Sequence, residues 1–497
     1  MNKRVLISIA VMLTVLIAVI ATALRTPPSV TTASPEAYQL YLKGVDRNQN
    51  LYSVEAKEFL EKAIELDNEF AMAYLQLFIS YGNSGEYIKS RQMIEKAALL
   101  KDYVSEREAL IIEINKNLGE QHNQVLADSL TEVLYQKYPK SLQAHLYMAR
   151  FAGRENDTEA EIGFYNNVVR IDKDYAPVYN TLGYLYAELN RYDEAIENLK
   201  KYAEKAPGKA NPYDSLGEIL IRVGRYKEAL ESLKKGLEIR PELAESKNLL
   251  GAAIHKNIGD AYLGIGQLTE AIKNYDLATS LNPRENVIVD VIINKYLTLI
   301  ISRRWNEFES SSEGLNMLDS SERTKPFKHL IKGIYHLAHK DIQSAIDESE
   351  EMREIIISLS EENEGVYDRL DPINASLEAD IKMSLGRYSE AIEIFNTRCY
   401  ISDLAQHSTW LNWRFAEAYR LNEQYDKSKE IVESVLSVNP NNYFLRSVLV
   451  QVYFDEGDFK NAKIELKKVK SLLSTADSDL FVNASMKKIE EALEVLL

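Results

Sequence analysis

The chain has 497 residues, 59 basic against 75 acidic, a net charge of −16 and only one cysteine. Twenty glycines and twelve prolines are too few for a collagen-like, low-complexity or turn-dense β architecture, and 45% hydrophobic residues are ample for a packed core. The acidic balance argues against a duplex-binding protein, and Cys399 alone can build neither an internal disulfide nor a cysteine metal site.

Lys3 and Arg4 precede an apolar run from Val5 to Leu24, interrupted only by Ser8, Thr14 and Thr22. Twenty residues at ~1.5 Å rise match the ~30 Å hydrocarbon core of a bilayer. The run predicts a transmembrane signal-anchor over 5–24, with a cytoplasmic stub over 1–4 and the body extracytoplasmic by the positive-inside bias. The alternative is a signal peptide cleaved after Ala23, since Ala21-Thr22-Ala23 has the A-x-A form and would release a soluble exported body. Residues 25–36, RTPPSVTTASPE, read as an extended spacer.

Beyond the spacer the chain repeats itself. The segment from Ala176 aligns without gaps to the segment from Ala210: Leu182-Gly183 meets Leu216-Gly217, Arg191-Tyr192 meets Arg225-Tyr226, Ala195 meets Ala229 and Pro207 meets Pro241. The period is 34. A small residue tracked along the chain gives Ala56, Ser90, Ala127, Glu161, Ala195, Ala229, Ala271, Phe308, Ala345, Ala391, Ser428 and Ala462, with Glu161 and Phe308 as departures.

This pattern resembles the tetratricopeptide repeat (TPR) family, whose repeats are helical hairpins carrying W-x2-L-G-x2-Y, then A-x3-F, then P. The resemblance implies an all-α, right-handed superhelical solenoid of about twelve hairpins. Gly44, Gly183, Gly217, Gly259 and Gly333 fall where the helices of a hairpin approach closely. Gly85, Gly224, Gly266, Gly386 and Gly457 fall just past first helices, where a left-handed residue ends them. Tyr87, Tyr192, Tyr226, Tyr388 and Tyr425 open second helices, and Pro139, Pro207, Pro241, Pro283 and Pro440 stop them.

The array divides into 37–359 and 372–475 about a loop joint at 360–371, and Glu242 to Gly251 absorb eight extra residues as about two helical turns. Residues 476–497 supply a capping helix with Phe481, Ile489, Ala492 and Leu496 on one face. The segments SPEAYQLYLKG, LEKAIELDNEFAMAY and YVSEREALI also resemble TPR arrays of bacterial signalling proteins that carry a winged-helix regulator, adenylate cyclase or Ser/Thr kinase. With four residues before the apolar run, no such effector is expected here.

Catalytic chemistry finds no foothold in the sequence. His329, His336 and His339 suggest a metal site by spacing, yet the repeat register puts His329, His145 and His255 in the aromatic opening slot, a packing position. HExxH, GxSxG and GxxxxGK[ST] are all absent, and Cys399 reads as a buried inert thiol. No enzyme activity, cofactor, metal or nucleic acid is expected. In the TPR family the first helices line a concave groove, which implies Arg150, Arg154, Asn180, Tyr184, Asp214, Glu218, Lys256, Asn257 and Asp260 as partner-binding residues. Trp410, Trp413 and Arg414 form a second candidate patch, because Trp and Arg dominate binding hot spots.

Together these features point to a membrane-anchored, extracytoplasmic scaffold or adaptor with a protein or peptide partner, in a cell (inner) membrane facing a periplasm. The alternative is a sensory receptor component that binds a peptide or small ligand and acts through a membrane signalling partner.

Overall fold

The computed structural model describes residues 30–50, 52–119, 123–245, 249–281, 285–362, 365–399 and 409–496. The anchor expected at 5–24 and the first part of the spacer lie outside these residues. Among the described residues no helix is long and apolar enough to cross a membrane.

Every regular element described is helical, and the helices pair into hairpins. The chain divides into two compact units, Met1–Leu182 and Gly183–Leu497. Unit 1 holds α1 (Pro35–Gln49) with α2 (Ser53–Leu66), α3 (Ala71–Asn83) with α4 (Tyr87–Leu99), α5 (Glu106–Gly119) with α6 (Gln124–Lys137), and α7 (Leu142–Arg154) with α8 (Thr158–Ile171). The boundary falls inside α9 (Ala176–Glu188). Unit 2 continues with α10 (Tyr192–Lys205), α11 (Asn211–Arg222), α12 (Tyr226–Ile239), α13 (Leu249–Gly264) and α14 (Leu268–Leu281). Then follow α15 (Glu285–Ile301), the broken pair α16 (Trp305–Ser310) and α17 (Ser312–Asn316), α18 (Lys325–Ala338) and α19 (Ile342–Glu362). The last elements are α20 (Gly365–Ser384), α21 (Tyr388–Ile394), α22 (Thr409–Leu421), α23 (Tyr425–Val438), α24 (Tyr443–Asp455), α25 (Phe459–Leu472) and α26 (Phe481–Leu496).

One backbone feature fixes the repeat register throughout. Five residues before the small slot, φ is positive at Gly85, Gly224, Gly266, Gly386 and Gly457, and also at Asn156, Asn190, Arg303, Lys340 and Glu423. All ten are left-handed turns that end a first helix, so the units around Glu161, Phe308 and Ala345 are hairpins in the same register as the clear ones. The slot itself is closed to solvent at Ala56, Ala195, Ala229, Ala271, Ala391 and Ala462. Serine fits because its hydroxyl donates to the carbonyl twelve residues back: Ser90 to Phe78 at 2.8 Å and Ser428 to Ala416 at 2.7 Å. At Glu161 the space comes from Gly153, where a Cβ would meet the Glu161 carboxylate at 2.6 Å.

Close-approach glycines behave as the repeat demands at four of five positions. A Cβ on Gly44, Gly183, Gly217 or Gly259 would fall within 2.6 Å of Leu60, Leu199, Leu233 or Tyr275, each sixteen residues on in the same hairpin. Gly333 instead faces Leu377 of α20, one hairpin further. The tyrosines do open α4, α10, α12, α21 and α23, but Tyr87 is 75% exposed and packs little.

Three sequence expectations need correction. The loop joint at 360–371 is helical where described: α19 runs to Glu362 and α20 begins at Gly365 with Pro372 inside it. Glu-rich sequence favours helix extension, and the added residues lengthen both helices rather than looping out. Nor is 25–36 wholly a spacer, because Thr31 donates from N and Oγ1 to buried Glu108 at 2.7 Å and Thr32 Oγ1 to Asp67 at 2.5 Å. Ser34 then caps α1. Before α13, the extra residues form a 3-10 turn at Pro241–Ala244 and an earlier start of the helix, with 246–248 outside the described residues.

Unit 2 closes on itself. The turn after α23 and the segment after α25 fold back onto the turns after α11 and α13. Asn439 Nδ2 donates to the Tyr226 hydroxyl at 2.9 Å, Asn441 Nδ2 to Gly224 O at 3.0 Å and the Tyr443 hydroxyl to Leu263 O at 3.2 Å. Further along, Asp477 N donates to Gly266 O at 2.9 Å, and the Asp477 carboxylate accepts from Thr269 N and Oγ1 at 2.8 Å. Arg304 ties this latch down through Asp477 at 3.4 Å and Asp479 at 2.9 Å. The final helix covers the last hairpin through Val482, Met486, Leu493 and Ile489, the last of these on the face expected from the sequence.

Candidate functional site

The candidate groove residues separate between the units. In unit 1, Arg154 is spent on Asp128, and Arg150 lies over the Tyr147 ring at 5.7 Å. Asn180 is half-buried with an unpaired Oδ1 among the described residues. Of the expected basic spot, Arg154 is paired, while Arg150 is exposed and has no carboxylate partner among the described residues.

In unit 2 the remaining six come together on successive first helices. The Tyr184 hydroxyl donates to Glu218 Oε2 at 2.8 Å, and Arg222 stands 3.8 Å from the other Glu218 oxygen. Asn257 Nδ2 donates to Asp214 Oδ1 at 2.9 Å. Lys256 pairs with Asp260 at 2.9 Å, and that carboxylate also accepts from Tyr275 at 2.8 Å and Asn294 at 2.9 Å. Tyr184 to Glu218 and Asp260 to Asn294 are each separated by 34 residues, so the polar stripe runs along one slot of the repeat. Asn294 was not singled out in the sequence, although the period from Asp260 leads straight to it.

Burial sets the electrostatics of this stripe. It pushes the Asp214 carboxyl up to about 7, against the Asn257 hydrogen bond and with help from the Glu218 charge. Burial likewise raises the Tyr184 hydroxyl, while the Asp260 charge raises the Lys256 ammonium. The stripe therefore keeps Lys256 charged and leaves Asp214 ready to exchange a proton near neutrality.

The second candidate patch is not an outer surface. Trp410 and Trp413 meet edge to face at 5.0 Å, and both line a chamber of about 1130 Å3 inside unit 2. Arg414 is held by buried Asp380 at 2.7 Å and lies over the Trp413 ring at 5.3 Å, so it orients the indole instead of presenting a free charge. Asp260 and Asn294 of the stripe line the same chamber, so the stripe and the tryptophan patch share one cavity. Its existence depends on the latch, which brings Asn439 and Tyr443 into the wall. Nothing local in the sequence signals that closure.

His145 and His255 pack in their slots, whereas His329 Nδ1 lies 2.6 Å from the Glu348 carboxylate. His145 meets Tyr135 edge-on at 5.2 Å, and His255 Nδ1 lies 3.0 Å from Asn274. His329, Glu348 and Glu351 bring possible ligand atoms within 4.8 Å of one another. Lys332 also lies 3.3 Å from Glu348, while the His339 ring is tilted against Trp305 at 4.4 Å. Cys399 is buried, its thiol pushed up to about 12 by burial, with the Pro372 carbonyl 3.6 Å away.

Hairpins of this length, turned by a left-handed residue and packed on a small slot, define a helical repeat protein. Residues 176–207 and 208–283 match family models described as tetratricopeptide repeat, so this stretch carries tetratricopeptide repeats. No curated protein matches. Among solved structures, one titled MamA 41-end from Desulfovibrio magneticus RS-1 is 19% identical, covering 37% of this chain and 96% of its own with a TM-score of 0.30. One titled human IFIT1 dimer with PPP-AAAA is 15% identical, covering 74% of this chain and 95% of its own with a TM-score of 0.41.

Proposed function

We propose that the protein is a non-catalytic scaffold or adaptor that holds a protein or peptide partner against the polar stripe of unit 2, tethered to a membrane by residues 5–24 with its body extracytoplasmic. The observation that carries this is the stripe itself. Glu218, Lys256, Asp260 and Asn294 recur on successive first helices, offering paired charges and amides along one line. Such an arrangement suits a peptide laid across several helices, whose groups exchange with bonds already oriented. Tethering would confine the partner near the membrane and raise its effective concentration.

The test is crosslinking capture by the full-length protein in its native membrane, beside Lys256→Ala and Glu218→Ala. A partner captured by the native chain and lost from both variants supports the stripe; equal capture by all three removes it. Protease accessibility of the body in sealed cells, against lysed ones, tests the sidedness separately.

A further inference from the structure

The chamber of unit 2 has walls that the scaffold function does not use. Ile293 and Leu297 of α15, Leu330 of α18, Ile373 of α20 and Trp410 of α22 face it, all large, apolar and only half-buried. They belong to or pack against one core, yet keep open surface toward the cavity. Leaving so much apolar surface uncovered forfeits about 25 cal/mol per Å2, which a ligand of matching chemistry would recover.

The polar groups are few and uneven. Asp260 is taken by Lys256, Tyr275 and Asn294. Arg222 stands near Glu218. Arg369 of α20 is exposed at the wall, and among the described residues its side chain has only the Gly365 carbonyl, at 3.1 Å, and no carboxylate. In a chain with sixteen more acids than bases, a cation beside an apolar cavity with no acidic partner among the described residues is suited to an anionic group. Asp290 of α15 also lines the chamber, and its carboxylate would repel an anionic group placed near it.

From this geometry we propose that the chamber binds a single-chain amphiphile, its apolar tail along Ile293, Leu297, Leu330 and Trp410 and its anionic head at Arg369. One argument favours this over an extended peptide. Most of the wall is helix whose backbone groups are already bonded, so an extended peptide would enter with its own amides unpaired. The volume of about 1130 Å3 is also just above the ~300–1000 Å3 range of small-ligand sites. The proposal does not depend on the polar stripe binding a partner.

The experiment titrates the full chain with hexadecanoate, with hexadecanol, and with a dibrominated fatty acid that quenches indoles on contact. Hexadecanoate should bind saturably, and the brominated acid should quench Trp410 and Trp413 while sparing Trp305, which packs on Tyr335 and His339. Trp410→Phe with Trp413→Phe should abolish that quenching. Arg369→Gln should weaken hexadecanoate roughly tenfold and leave hexadecanol unchanged. Ile293→Trp, which fills the cavity, should lose both ligands; Ser376→Trp, from α20, repeats the test should the first variant unfold. Absence of saturable hexadecanoate binding below about 100 μM overturns the proposal. So does equal binding by the native and filled proteins, or uptake of an apolar helical peptide in place of the fatty acid.

Discussion

Asn439 and Tyr226 share a hydrogen bond of 2.9 Å although 213 residues separate them. The asparagine packs so tightly against the next turn that a Cβ on Gly224 would lie 2.1 Å from its Oδ1. A residue that ends a first helix therefore also receives the chain returning from the far end of the unit.

Glycines at equivalent turns should then differ in their tolerance. Gly224 and Gly386 both have φ of 75°, but nothing lies within 4 Å of a Cβ on Gly386. Gly386→Ala should cost about 1–2 kcal/mol, the strain of a left-handed alanine. Gly224→Ala should cost measurably more, because Asn439 must also move. Chemical denaturation of the two variants side by side checks this, and equal losses would mean that the latch contact contributes nothing.

Arg304 is the other anchor of the closure, bonding Asp477, Asp479 and Thr269. Arg304→Ala should leave two carboxylates without their partner and lower stability by about 1–3 kcal/mol. Hydrogen exchange should accelerate at the Asp477 amide, which donates to Gly266 O, while amides of the α11–α12 hairpin stay protected. Uniform acceleration across unit 2 would show instead that the latch is part of one cooperative core.

Asp214 gives a pH signature. Its folded pKa of about 7 lies above the ordinary carboxylate value, so the folded state binds the extra proton between roughly pH 4 and 7. Stability from this group is present at the acid end of that window and is lost as pH rises through 7. Asp214→Asn can still accept from Asn257, and it should flatten the slope while raising the melting temperature at pH 8 by a few degrees. An unchanged slope would place the titration elsewhere.

Cys399 should resist alkylation in the native protein at pH 8 and react fully once unfolded. Its thiol is buried and held protonated, so the neutral, unreactive form dominates. Native-state labelling at the rate of a free thiol would contradict the burial around Pro372.

Much of the architecture was legible because it rests on local rules. A 34-residue period put Ala195 and Ala229 in one slot, and left-handed turns stand at the glycines it named, whereas those at Arg303 and Lys340 carry no glycine to announce them. Inner-face assignment named Glu218, Lys256 and Asp260, of which Lys256 and Asp260 pair at 2.9 Å while Glu218 lies near Arg222. The helical continuation through 360–362 and 365–371 was missed because Pro372 reads as a breaker, although here it sits within α20. The chamber was missed for a different reason. Trp410 and Trp413 looked like an outer patch because nothing in their neighbourhood announces Tyr443 bonding to Leu263, a contact 180 residues away in sequence.

The latch also constrains how this gene can change. An open solenoid can gain or lose a hairpin at any point, since each repeat meets only its neighbours. In unit 2, a hairpin inserted or deleted between Gly224 and Asn439 would carry the returning turn past its acceptor. Repeat number there is fixed by ring closure, so this stretch should vary by substitution within hairpins while its hairpin count stays constant.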